Sequence, residues 1–94
     1  VSKTDGEKIR EIREAEGMGR QEFSEVTGIK KQTLISTETG RMTCSLKTVR
    51  QITAVFPKYR MWLVDNQVDE EKGQINPEIE KARRELKQTG TDTN

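Results

Sequence analysis

The chain has 94 residues, of which 30% are hydrophobic and 35% charged, which allows one small domain and excludes a large core. No run approaches the ~18 consecutive apolar residues of a membrane span, and the single cysteine, Cys44, excludes an internal disulfide. The net charge of +1 hides a gradient: residues 1–65 carry 12 Lys/Arg against 9 Asp/Glu, whereas residues 66–94 carry 5 against 7.

The first residues, VSKTDGEK, are polar and carry no signal-peptide pattern, so a cytoplasmic location is expected. A first helix is predicted from Asp5 to Glu16, with Asp5 as N-cap and Glu7 in the first turn, where an acid suits the helix dipole. Ile9 and Ile12 face inward, with Ala15 or Glu16 one turn on. Its other face is salt-laced and net acidic, which makes it scaffold rather than a surface for an anion. Gly17 ends it and Met18 opens the next core layer.

A second helix is predicted from Gly19 to Thr27, with Phe23 and Val26 on the inward face, and Gly28 and Ile29 interrupt it. Glycine there supplies the positive φ of a sharp helix-to-helix turn. A third helix runs from Lys31 to Thr39, with Leu34 inward, Thr37 or Glu38 one turn on, and Gly40 as its C′ residue. Two helices joined through a glycine turn describe a helix-turn-helix, whose second helix can enter a DNA major groove. The residues at its start are chemically suited to base edges. Lys30 and Lys31 can donate to guanine O6 and N7, Gln32 can pair with adenine, and the Thr33 methyl can touch a thymine methyl. Ile35 and Ser36 extend the same base-reading candidates by one turn. The alternative is an ordinary αα-hairpin with a solvated polar start. From Met18 to Arg60 eight Lys/Arg face three acids, the charge balance expected of phosphate contact.

Arg41 follows the third helix closely enough to reach a phosphate at the groove edge, or to be a plain solvent-exposed arginine. Ser45 caps a fourth helix, Leu46 to Val55, with Leu46, Val49 and Ile52 inward and Val55 or Phe56 next. Lys47, Thr48, Arg50 and Gln51 point outward, and Lys47 lies at a helix N-terminus that favours phosphate. Pro57 breaks this helix. Residues 58–64 form a last turn or short helix anchored by Tyr59, Trp62 and Leu63, with Trp62 closing the core or meeting a second subunit. Residues 66–75 read as a polar linker. Asn76-Pro77-Glu78 then starts a helix over 76–88, with Ile75, Ile79, Ala82 and Leu86 as a seam too short to stand alone. A dimerisation arm is the preferred reading of it, with disorder as the alternative. The tail, 89–94, is expected to be disordered.

The run FSEVTGIKKQTL, followed by Glu38-x-Gly40-Arg41 and Ser45-Leu46-x-x-Val49-x-x-Ile52, resembles the phage-repressor-like helix-turn-helix family, the lambda-repressor and Cro superfamily. The resemblance spans Glu7 to Asp65. It implies an all-α fold: a compact five-helix lambda-repressor-like DNA-binding domain over residues 1–65, here with an extra C-terminal helix, and a homodimer on a two-fold operator. It also implies DNA phosphate contacts from Arg20, Gln21, Arg41, Thr43 and Lys47. Three positions depart from the family's pattern. Thr37 stands where a large apolar residue is usual, Ile35 where a polar groove-facing residue is common, and Lys30 where Ser or Pro often caps. A thinned core under the third helix, or a slight rotation of it, is the expected consequence.

The expected function is that of a sequence-specific double-stranded DNA-binding transcriptional regulator, a phage or bacterial repressor. The alternative is a protein-interaction module on the same fold, antitoxin-like or anti-repressor in kind. Catalysis is not expected: there is no histidine, the lone cysteine has no base, and no phosphate loop, nucleophile elbow or metal-ligand spacing is present. No cofactor, metal or small-molecule ligand is called for.

Overall fold

The computed structural model describes residues 3–92. Six α-helices follow in order: α1 (Asp5–Ala15), α2 (Arg20–Thr27), α3 (Lys31–Glu38), α4 (Leu46–Val55), α5 (Arg60–Asp65) and α6 (Pro77–Asp92), with 3-10 turns at Pro57–Tyr59 and Glu70–Lys72. The fold is all-α, as expected. Ile9, Ile12, Phe23, Ile29, Leu34, Ile52, Tyr59, Trp62, Leu63 and Ile75 form one buried cluster. Phe56 stacks on Phe23 with ring centroids 5.8 Å apart and leans on Tyr59, tying the end of α4 to α2 and to the 3-10 turn.

Helix boundaries follow local chemistry. The N-cap of α1 is Thr4, not Asp5: the Glu7 amide donates to Thr4 Oγ1, which leaves Asp5 inside the first turn as a dipole partner. Ser45 caps α4 as expected, accepting from the Thr48 amide. Gly40, at φ +82°, closes α3: its amide donates to Thr37 O and the Arg41 amide to Ser36 O, the paired bonds of a glycine-terminated helix.

Val26 and Leu46 leave the core, whereas Ile29 and Thr48, the latter expected to point outward, are buried. On α2 the buried arc is Phe23 and Thr27 with Arg20 and Ser24 half-buried, so Val26, on the far side of Phe23, is exposed. Thr27 tolerates burial because its hydroxyl donates to Phe23 O and accepts from the Ile29 amide. Ile29, expected only to interrupt the pattern, fills the core under the turn. On α4 the buried arc centres on Thr48 and Ile52. Leu46 lies two residues, about 200°, from Thr48 and is 62% exposed. Gln51 is not free in solvent either: its amide nitrogen donates to Gly28 O and ties α4 to the turn.

α1 is the wall against which α3, α5 and α6 pack, while α4 packs on α2. Gly6 sits against α3, where a Cβ would lie 2.0 Å from Thr37 O. The close crossing accounts for the small Thr37 in place of a large apolar residue. Lys8 is only 4% exposed, donates to the Trp62 and Leu63 carbonyls near the end of α5, and lies over the Trp62 ring. A cation there complements the partial negative charge of a helix C-terminus, where Trp62 O also accepts from the Asn66 amide.

Residues 66–75 are not a linker. Asp69 and Gln74 pair as an antiparallel bridge around the Glu70–Lys72 turn. Gln74 accepts from the Met61 amide and donates to Pro57 O, and the Ile75 amide donates to Lys58 O. Backbone and side-chain amides together fold this polar stretch under α5 and deliver Ile75 into the core. Asn76 caps α6 by accepting from the Ile79 amide. The first turns of α6 dock on α1 through the half-buried Ile79 and an ionic cluster. In it Glu16 accepts from Tyr59 Oη at 2.6 Å, Lys58 Nζ at 2.9 Å and Arg84 Nη2 at 3.1 Å, while Glu80 accepts from Lys58 and Arg84. α6 continues past Gln88 to Asp92, so residues 89–92 are helical; residues 93–94 of the expected tail lie outside the described residues.

Two tests follow from this packing. Gly6→Ala drives a methyl into a backbone carbonyl and should cost roughly 1–3 kcal/mol in urea unfolding, since neither helix backbone yields easily. Burial works to raise the Glu80 carboxyl, but hydrogen bonds from Arg84 and Lys58 outweigh it and hold the group below the ordinary value of 4.5. A depressed folded value means stability that is present above pH 4.5 and is lost as pH falls through the folded value. Glu80→Gln should therefore flatten part of the acid limb when thermal unfolding is followed across pH. A variant with the wild-type acid limb would remove Glu80 from the docking of α6.

Candidate nucleic-acid interface

Gly28 ends α2 at φ +76°, in the left-handed region, and the chain turns through Ile29 and Lys30 into α3. Ser24 Oγ donates to Ile29 O across this turn, and Gln51 holds Gly28 O from α4. α3 is thus held at its start by side-chain hydrogen bonds to the backbone carbonyls of the turn, beside its one buried apolar residue, Leu34. Leu34 and Thr37 point inward, Thr33, Ile35 and Ser36 are half-buried, and Lys30, Lys31 and Gln32 are exposed.

Lys30 occupies the N-cap of α3 in extended conformation and makes no cap bond; Gly19 does the same for α2. Both helices therefore present amides that no side chain caps, and such ends attract anions. Lys30 and Thr33 share a cleft with Lys47, Thr48 and Gln51 of α4. Lys31 shares another with Arg20 and Gln21 at the start of α2 and with Arg10 and Arg13 of α1. The structure thus gathers Arg20, Gln21, Lys30, Lys31, Thr33 and Lys47 around the start of α3, with Gln32 exposed between the clefts. Arg41 and Thr43 are exposed but lie at the other end of α3, in a cleft with Thr4, Asp5 and Gly6. An eight-residue helix places them about 12 Å along the axis from Lys31. Cys44 borders that cleft; burial, then the charge of Asp5, push its thiol up, away from reactivity.

Beneath these clefts lies a buried carboxylate. Glu38, the last residue of α3, accepts from Arg13 Nε at 3.0 Å and Nη2 at 2.9 Å, and from Arg20 Nε at 3.2 Å. Arg13 Nη1 donates to Met18 O at 3.0 Å. Its hydrogen bond to Glu38 raises Arg13 above the usual arginine value against the opposing effect of burial.

The model of the helix-turn-helix family matches residues 9–63, more than half of the chain. Repressor protein C of Escherichia phage P2 is 37% identical over 81 residues, covering 84% of this chain and 82% of that protein. The chain belongs to the phage-repressor-like helix-turn-helix family. Within this helix-turn-helix, α2 and α3 are the two helices of the motif and Gly28 is its turn glycine.

The motif residues were placed by sequence; the struts of the motif were not. Arg13 and Glu38 are 25 residues apart, Gln51 and Gly28 are 23, and no local periodicity links either pair. An acid at an inward position of α3 was the only available signal, and it points to a cation without naming it. Arg13→Ala should cost roughly 3–5 kcal/mol in urea unfolding, the loss expected when a buried ion pair is broken on one side. A loss below about 1 kcal/mol, the scale of an exposed pair, would mean that Arg20 alone sustains the Glu38 carboxylate.

Proposed function

We propose that this chain is a sequence-specific double-stranded DNA-binding repressor of phage or bacterial type, in which α3 reads the major groove as part of a homodimer. The observation that carries the reading is the start of α3: Lys30, Lys31 and Gln32 stand exposed at an uncapped helix end, flanked by basic clefts from α2 and α4. Similarity to a protein named as a repressor supports the same reading.

In this reading Lys30, Lys31, Gln32, Thr33, Ile35 and Ser36 face base edges, with the half-buried Ile35 and Ser36 contributing least. Arg20, Gln21 and Lys47 hold backbone phosphates on either side of the groove, and Arg41 and Thr43 take a phosphate beyond the far end of α3. A two-fold operator would be met by a second copy. The later part of α6 supplies a candidate surface, since Ala82 is exposed and Leu86 is 71% exposed beyond the turns docked on α1.

A titration of the protein against its own upstream duplex and a scrambled duplex of equal length, at two salt concentrations, tests this. Preference for the native duplex retained at the higher salt supports specific recognition. Equal binding to both, lost steeply with salt, would reduce the basic face to non-specific attraction. On the preferred duplex, Gln32→Ala should relax one base position, with a discrimination loss of about 1–3 kcal/mol. Lys47→Ala should weaken all sequences alike and lower the salt slope by about 0.9. A Gln32→Ala loss that is equal on every sequence would remove Gln32 from base reading.

A further inference from the structure

We propose that Glu38 is a positioning residue for DNA: its buried carboxylate fixes Arg20 so that the free edge of that guanidinium grips one backbone phosphate. This rests on the DNA-binding reading above and assigns a role to a residue that faces no nucleic acid.

The two arginines on Glu38 are not equivalent. Arg13 is enclosed, at 12% side-chain exposure, and three of its nitrogens are engaged: two on Glu38 and one on Met18 O. It is a strut with little left for an outside ligand. Arg20 is 35% exposed and uses only Nε, so its two Nη groups donate to nothing among the described residues. The Glu38 side chain is 1% exposed. One carboxylate between two guanidinium groups leaves a net charge of +1, and Arg20 presents it at the surface.

The chemistry of the fork explains why an acid beside a phosphate ligand helps rather than competes. Both Glu38 oxygens are already occupied by Arg13, so Arg20 shares one of them through Nε. A planar guanidinium anchored through Nε leaves both Nη groups for an outside ligand, and part of the rotamer freedom that a long side chain would lose on meeting phosphate is already lost. Arg20 is also the first residue of α2, beside the uncapped Gly19. Arg20, Gln21 and Lys31 border the same cleft. Because Glu38 ends α3, the grip on the phosphate is tied to the reading helix itself.

The salt dependence of binding tests this, because simple electrostatics and positioning predict opposite signs. Glu38→Gln removes a negative charge; if Glu38 acted only through its field, binding would tighten and the salt slope would steepen. Under positioning, Glu38→Gln frees Arg20, weakens binding and lowers the slope by about 0.9, the value for one lost phosphate contact. Arg20→Ala should lower the slope by the same amount, and the double variant should lose no more than either single one. Arg20→Lys keeps the charge but not the fork, so its slope should fall as that of Arg20→Ala does.

Anisotropy titrations on the preferred duplex, run where circular dichroism shows each variant folded, read these outcomes. An unchanged or steeper slope for Glu38→Gln, additive losses in the double variant, or a wild-type slope for Arg20→Lys would each overturn the proposal. Should Glu38→Gln fail to fold, Glu38→Asp, which keeps the charge but draws the carboxylate back from Arg20, takes its place: a lowered slope is expected and a wild-type slope overturns the proposal. Wild-type protein with no preference for its own duplex would instead overturn the DNA-reading on which the proposal stands, a separate and earlier failure.

Discussion

A carboxylate taken out of water is costly by several kcal/mol unless it is matched by charge and hydrogen bonds. Glu38 is such a group, and the arrangement of the first three helices satisfies it. Arg13 must come from α1, Arg20 from the first residue of α2, and the acid itself from the end of α3. None of the three helices can rotate or slide by a turn without breaking the set. The requirement is geometric, which an apolar contact of similar area is not, because bidentate guanidinium–carboxylate pairing has a fixed plane. The charge that orients the motif is also the one that leaves an arginine edge at the surface.

α1 connects this arrangement to the rest of the molecule. One helix contributes Gly6 to the crossing with α3, Lys8 to the end of α5 and Arg13 to Glu38, and its C-cap Glu16 joins the ionic cluster that docks α6. Its apolar residues, Ile9 and Ile12, are fully buried between these polar contacts. With only 30% of its residues hydrophobic, the chain cannot fix its helices by apolar burial alone. Buried or half-buried ionic contacts at defined positions supply the orientation that a larger core would supply by shape.

This division also sets what could be read from sequence. Helix existence, the turn at Gly28, the stop at Gly40 and the cap at Ser45 depend on residues a few positions apart, and all were legible. Ile9, Ile12, Phe23, Leu34 and Ile52 were legible as core because apolar residues at helical spacing have few alternatives. Leu46 and Val26 were misplaced because three-residue spacing alone does not fix the centre of an inward arc; Thr48 and Thr27, whose hydroxyls have their own partners, take the buried sites instead. The segment 66–75 looked like a linker because its structure rests on amide bonds of Gln74, which hydropathy does not register. At the interface, the exposed start of α3 was legible from its Lys and Gln residues. The role of Glu38 was not, because its partners are remote in sequence.

α3 itself shows how such a design holds the second helix of the motif. Its one fully buried apolar side chain is Leu34, and its other inward residue, Thr37, satisfies its own hydroxyl on Thr33 O. So short and polar a helix has little intrinsic stability in water. It is held instead at its two ends, by Ser24 and Gln51 around the turn before it and by Glu38 and the Gly40 closure after it. The outer side chains of Lys30, Lys31 and Gln32 take part in none of these supports. Substituting them alters what the helix presents while leaving untouched what holds it, so the fold constrains the placement of these exposed residues far more than their identity.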